Sequence, residues 1–327
     1  MKHNNYPGIA LSPGILRSGL ILLLVFVCIN DRAYSQEDLD VIKNKWLEFS
    51  DSQNALYHHL TDEAYDLLKQ RTETISRYKD LADWKQRQVM IRKTLIEIVG
   101  PLPAKTPLNA LITKTITKDK YIVEHIIFES QPGFYVTSSL FIPAGLKKGA
   151  RVPAVIYCSG HTAEGYRSEV YQHVILNLVS KGFIVFAFDP VGQGERLEYY
   201  DTKTGKSVIG GPTMEHSYPG AQAFIAGSSQ ALYMIWDGIR AVDYLVTRKE
   251  VDPARIGITG RSGGGTQSAY IAAMDDRIYA AAPENYITNY ARLLQSIGPQ
   301  DAEQNLFNII QRNYLPEYFK YPINDSQ

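Results

Sequence analysis

Apolar residues recur with two different periods along this chain, and the change from one to the other divides it. From Asp38 to Val99 the period is helical. Trp84, Ile91, Leu95 and Ile98 fall on one face at spacings of seven, four and three, while Lys85, Arg87, Arg92 and Lys93 lie elsewhere. Gly100-Pro101-Leu102-Pro103 stops that helix, so residues 36–105 read as a helical leader. Between 110 and 142 the pattern turns β-rich. Runs at Thr113–Thr117, Tyr121–Phe128 and Tyr135–Ile142, separated by Lys118-Asp119-Lys120 and Gln131-Pro132-Gly133, predict antiparallel strands at one edge of a sheet.

From Ala154 onward, strand and helix alternate. Ala154–Cys158 and Phe183–Asp189 are continuous apolar strands, as buried strands are. Between them Glu169–Lys181 reads as a helix with Val170, Val174 and Leu178 inward, ended by Gly182. A long helix over Ser229–Arg248 carries Leu232, Ile235, Ile239, Val242 and Val246 on one stripe, and Asp252-Pro253 breaks it. A last short strand is expected over Ile278–Ala282, stopping at Pro283. This order argues for a mostly parallel sheet with helices on both faces, in which ligands bind beyond the carboxyl ends of the strands. Three loops fall there and should converge: Ser159-Gly160-His161-Thr162, Pro190 to Arg196, and the turn that follows Ile256-Gly257-Ile258-Thr259.

That turn, Gly260-Arg261-Ser262-Gly263-Gly264, fits G-x-S-x-G between a strand and a helical run from Gln267 to Met274. Small neighbours let strand and helix approach closely, and the serine oxygen is presented at a helix N-terminus, where developing negative charge meets free amide donors. Two other glycine motifs fail on a residue. A phosphate loop needs lysine where Thr266 stands, and no frame supplies G-x-G-x-x-G. No cofactor is therefore expected. His58 and His59 are adjacent, the wrong spacing for a metal pair on a helix, so they read as surface residues and no metal is expected.

Composition narrows the setting. Lysine plus arginine equals aspartate plus glutamate at 34 each, which leaves no electrostatic footprint for nucleic acid. Lys2 and Arg17, the apolar run Gly19–Ile29 and the small residues around Ala33-Tyr34-Ser35 read as a secretory signal peptide over 1–35. The run is shorter than the roughly 20 residues a membrane span needs, so no stable span is expected after cleavage, and Val27 argues against lipid attachment at Cys28. The expected location is secreted or periplasmic. Cleavage after Ser35 leaves Cys158 as the one cysteine, in an apolar strand where a small buried side chain suits.

Taken together, Ser159-Gly160-His161, Asp189-Pro190-Val191-Gly192-Gln193-Gly194-Glu195-Arg196, Trp236 to Leu245 and Gly260 to Thr266 resemble the α/β-hydrolase fold, and within it the bacterial acetyl xylan esterase-like carbohydrate esterases. The resemblance spans about 150–290 and makes 106–327 an α/β-hydrolase domain. It implies that Ser262 is the nucleophile, forming an acyl-enzyme from an ester on a small molecule or oligosaccharide. It also implies an oxyanion hole at the backbone amides of Gly263 and His161. The His161 ring is either a general base or, as its loop position favours, a pocket wall. Glu195, Arg196, Asp237 and Arg240 are expected to brace the site as ion pairs.

In this fold the triad runs Ser, then Asp or Glu, then His. Here all seven histidines, at 3, 58, 59, 125, 161, 173 and 216, precede Ser262. Asp301-Ala302-Glu303-Gln304-Asn305 still resembles the family, but the tail from Leu306 does not supply the last strand-helix units. The domain is thus expected to be incomplete at its C-terminus, with an impaired esterase as the consequence; Glu284 offers an acid but no base. The alternative is a non-catalytic protein that binds a sugar or a partner chain.

Overall fold

The structure, a computed structural model, describes residue 41 and residues 48–296. The signal segment expected over 1–35, the run Asp301–Asn305 and the tail from Leu306 lie outside them. The chain divides into two compact units, 1–60 and 61–327. In the first, a turn of 3-10 helix at Ser52–Asn54 leads into helix α1 (Ala55–Ile75), whose residues from Thr61 onward belong to the second, and His58 and His59 are both exposed.

In the second unit α2 (Leu81–Val99) starts where the Asp80 side chain accepts from the amides of Ala82 and Asp83 at 2.8 and 3.0 Å, and ends at Gly100, whose φ is 105°. Its buried face is Arg87, Ile91, Thr94, Leu95 and Val99, while Trp84 is 40% exposed. The expected stripe holds at Ile91 and Leu95 and turns away at its ends. Arg87 takes an inward place because its stem is apolar and its Nη1 donates to the Tyr78 hydroxyl at 3.1 Å.

Among the described residues nine strands follow: β1 (Leu111–Thr117), β2 (Tyr121–Gln131), β3 (Phe134–Pro143), β4 (Val152–Cys158), β5 (Ile184–Phe188), then a small hairpin of β6 (Tyr200–Asp201) and β7 (Lys206–Ser207), and last β8 (Val251–Arg261) and β9 (Ile278–Glu284). The main sheet runs β1-β2-β3-β5-β4-β8-β9. β1 to β3 form an antiparallel meander, β3 meets β5 antiparallel, and β5, β4, β8 and β9 are parallel. This is the α/β-hydrolase arrangement. β5, inside the sheet, is apolar and buried along its whole length because both its faces are covered, whereas β9 is exposed from Tyr279 to Ala282. Ile184, Phe186 and Phe188 of β5 point into one core layer with Phe128, Ile156 and Val242, while Val185 and Ala187 point into the other with Tyr157, Tyr171 and Ile175. Each fully buried Val, Ile or Phe side chain among them contributes roughly 1.5–3 kcal/mol.

Helices α3 (Glu169–Ser180), α4 (Pro212–Ile225), α5 (Gln230–Thr247), α6 (Gly263–Met274) and the short α7 (Tyr290–Leu294) complete the described chain. In α3 the buried residues are Tyr171, Ile175 and Val179; of the expected stripe, Val174 and Leu178 are half-buried and pack against the same core, while Val170 is 45% exposed. The stripe sits one residue further on because Tyr171 belongs to it, its ring 5.8 Å from that of Tyr157. On α5, Leu232, Ile235, Ile239 and Val242 are buried as expected, but Val246 is 39% exposed. β9 runs past Pro283 to Glu284; it is the last strand of the sheet among the described residues, where proline is tolerated. The hairpin β6–β7 and α4 were not expected from the sequence.

Candidate active site

Ser262 stands between β8 and α6 with φ 58° and ψ −121°, a left-handed conformation that a non-glycine residue adopts only when its surroundings impose it. The constraint comes from backbone pressed on backbone. A Cβ on Gly260 would lie 2.6 Å from the Gly264 carbonyl oxygen, and one on Gly264 would lie 2.6 Å from the Cys158 carbonyl carbon and 2.8 Å from that of Ser159. The Ser262 amide donates to the Glu284 carbonyl at 2.9 Å. What Glu284 brings to the turn is thus its carbonyl, while its side chain is exposed.

The loop after β4 lies against this turn. A Cβ on Gly160 would sit 2.5 Å from the Arg261 carbonyl oxygen and 3.3 Å from the Ser262 Cβ, so only glycine fits there. The same Cβ would lie 2.6 Å from the Tyr171 hydroxyl, and the Gly160 carbonyl accepts from Gln193 Nε2 at 2.8 Å. Gln193 donates from the same nitrogen to the Thr162 carbonyl at 3.1 Å, and the Gly194 amide donates to the Ala163 carbonyl at 3.1 Å. The three loops singled out in the sequence therefore meet.

The loop after β5 is built on buried charge. Asp189 is fully buried and accepts from Thr137 Oγ1 at 2.6 Å, from Arg167 Nη1 at 2.9 and 2.7 Å, and from the Glu195 amide at 3.3 Å. Burial pushes its carboxyl above the usual range, and the Arg167 guanidinium opposes that. Arg196 Nη1 donates to the Asp189 carbonyl at 2.8 Å and to Asp237 Oδ2 at 2.7 Å. Burial likewise pushes the Asp237 carboxyl up against the pull of Arg196. Of the residues expected as braces, Asp237 pairs with Arg196, Glu195 pairs with Arg167 at 2.5 Å, and Arg240 pairs with Asp243. Arg167 carries two of these contacts and escaped the sequence reading, since an arginine in a loop looks like solvated charge.

His161 lies one residue from Gly160, and its Nε2 is 3.2 Å from Nδ1 of His216 on α4, the rings meeting edge to face. His216 and Glu215 are buried, and the Glu215 carboxylate accepts from the amides of Glu198 and Tyr199 at 2.8 and 3.3 Å. A Cβ on Gly192 would come within 2.8 Å of the Glu215 Cβ and 3.1 Å of the His216 ring, so α4 packs directly on the loop after β5. Sequence reasoning missed this helix. Its signal was Gly211-Pro212, a proline at the first helical position, with Glu215 in the first turn.

Burial pushes the Cys158 thiol up to about 12, which keeps it neutral and unreactive. Among the described residues no three His, Cys, Asp or Glu side chains are grouped to hold a metal ion, and no helix is long and apolar enough to cross a membrane.

Residues 104–317 match the family described as acetyl xylan esterase (AXE1). Over 202 residues the chain is 27% identical to "Putative hydrolase YtaP" of Bacillus subtilis (strain 168), covering 57% of this chain and 60% of that one. Among solved structures it is similar to a "putative acetyl xylan esterase" from Bacteroides fragilis NCTC 9343, with a TM-score of 0.57 and 18% identity over 70% of this chain and 63% of the other. It is also similar to the structure titled "Methylesterase BT1017", with a TM-score of 0.50 and 26% identity over 67% of this chain and 45% of that chain. The chain thus spans less than two thirds of each of these relatives.

Proposed function

We propose, for a chain that belongs to the acetyl xylan esterase family, that it is exported and removes acetyl groups from a carbohydrate by way of an acyl-enzyme on Ser262. One observation carries this reading: a serine held at φ 58° between a parallel strand and the N-terminus of a helix, with the loop of Gly160 pressed against it. Ser262 Oγ attacks the ester carbonyl and gives up its proton to a base. The resulting oxyanion is received by the amides of Gly263 and His161, each donor supplying roughly 3–4 kcal/mol in the transition state. Collapse breaks the bond to the sugar oxygen, which leaves as the protonated hydroxyl. Water then attacks the acetyl group and releases acetate, returning the proton to Ser262.

The base that takes the Ser262 proton carries much of the rate, since losing the histidine of a comparable triad costs on the order of 10⁶ in turnover. Acetylated xylo-oligosaccharides and methyl-esterified pectin, offered side by side, test the substrate class. Acetate release without methanol release is the expected result. Methanol release alone would move the reading to a methylesterase.

A further inference from the structure

We propose that Gln193 is a positioning residue: its side-chain amide fixes Gly160 to Thr162 against Ser262 and so sets the direction of the His161 amide. The inference rests on the reading of Ser262 as nucleophile and of that amide as an oxyanion donor.

Gln193 is 1% exposed, and glutamine is seldom buried that deeply unless its amide is fully used. Both groups facing its terminus are carbonyl oxygens, at 2.8 Å on Gly160 and 3.1 Å on Thr162, so the NH₂ end must point there. These two acceptors belong to the residues on either side of His161. The Gly160 carbonyl shares a peptide plane with the His161 amide, and the Thr162 carbonyl lies two peptide units further on, so one side chain fixes the segment on both sides of His161. A third restraint is the Tyr171 hydroxyl, which crowds Gly160 so closely that a Cβ there would lie 2.6 Å from it.

Gln193 is itself held. Its main-chain N–H donates to the Pro190 carbonyl at 3.1 Å and its main-chain carbonyl accepts from the Arg196 amide at 3.0 Å, within the loop anchored by Asp189. A chain of fixed contacts thus runs from the buried carboxylate of Asp189, through Gln193, to a segment whose Gly160 can tolerate no Cβ beside Ser262. A donor amide displaced by about 1 Å loses on the order of 10² in rate while ground-state binding is little affected.

The test compares the full chain, Ser262→Ala, Gln193→Leu and Gln193→Glu in hydrolysis of a small aryl acetate across pH. Leucine keeps the volume and removes both donated bonds, so kcat should fall about 100-fold with KM changed less than about threefold. Glutamate places an acceptor against two carbonyls when ionised but can donate once when protonated, and burial raises the pH at which it protonates. The ratio of its kcat to that of the wild type should therefore recover as pH falls, a trend that a purely structural role would not produce. A Gln193→Leu protein with wild-type kcat overturns the inference. If that variant does not fold, a Gln193→Glu ratio flat with pH overturns it instead. Absence of Ser262-dependent turnover in the wild type would be seen before any Gln193 variant is compared, and it would remove the reading of the site and this role with it.

Discussion

The main-chain amide of Ser262 donates to the Glu284 carbonyl at 2.9 Å. That bond ties the turn of the proposed nucleophile to β9, while the glycines on its other side press it onto the end of β4. The turn's geometry is a property of three strand ends at once.

Gly264 is where that packing is least forgiving. Its added Cβ would meet main-chain atoms of Cys158 and Ser159, which cannot swing aside as a side chain does. Gly264→Ala should cost about 3 kcal/mol or more, at the upper end of what overpacking does. Thermal unfolding checks this; a melting temperature equal to the wild type's would show that the turn yields more easily than its contacts imply.

Arg196 and Asp237 are both almost fully buried, at 4% and 1% side-chain exposure. Removing one partner strands the other's charge, so Arg196→Met should destabilise by about 3–5 kcal/mol in urea unfolding. The double change with Asp237→Leu should recover much of that. If the double variant is no more stable than the single one, the pair is not what Arg196 contributes.

These contacts mark the limit of what could be read in the sequence. Sheet, helices and the serine turn were legible, because apolar periods and a glycine-flanked serine between strand and helix are local signals. The braces were legible only as charged residues, Glu195 and Arg196 in the loop after β5 and Asp237 and Arg240 on α5. Which acid meets which base depended on Arg167, brought to Asp189 by a loop 22 residues earlier. The inward faces of α2 and α3 slipped because Arg87 and Tyr171 are amphipathic, buried by stem and ring while their polar ends find partners. His216 was invisible as a neighbour of His161, 55 residues apart and on a helix that neither period nor length announced.

Asp243 gives a pH signature. Burial by itself would raise its carboxyl, yet hydrogen bonds from Lys105 at 2.8 Å and Arg277 at 2.6 Å outweigh it and hold the group below the usual carboxylate range. A depressed folded-state pKa means stability that is fully present above the unfolded value, about 4. It is lost as pH falls through the lower, folded-state value. Asp243→Asn should lose about 2 kcal/mol at neutral pH and flatten stability below pH 4, as read by denaturant midpoints. An unchanged acid limb would exclude Asp243 as a contributor.

For His161 the proposed role belongs to the backbone. His161→Ala should keep Ser262-dependent aryl acetate turnover within about tenfold, less than the 10²–10⁴ that a general base typically supplies. A larger loss, with the protein still folded, would make the imidazole the base.

The central claim is that Ser262 is the acyl-accepting nucleophile, and aryl acetate hydrolysis by the chain beside Ser262→Ala tests it most directly. The account predicts release that exceeds the rate of the Ser262→Ala protein. Equal rates from two folded proteins would contradict it, and would leave a hydrolase fold that binds a sugar or a partner chain without turning it over.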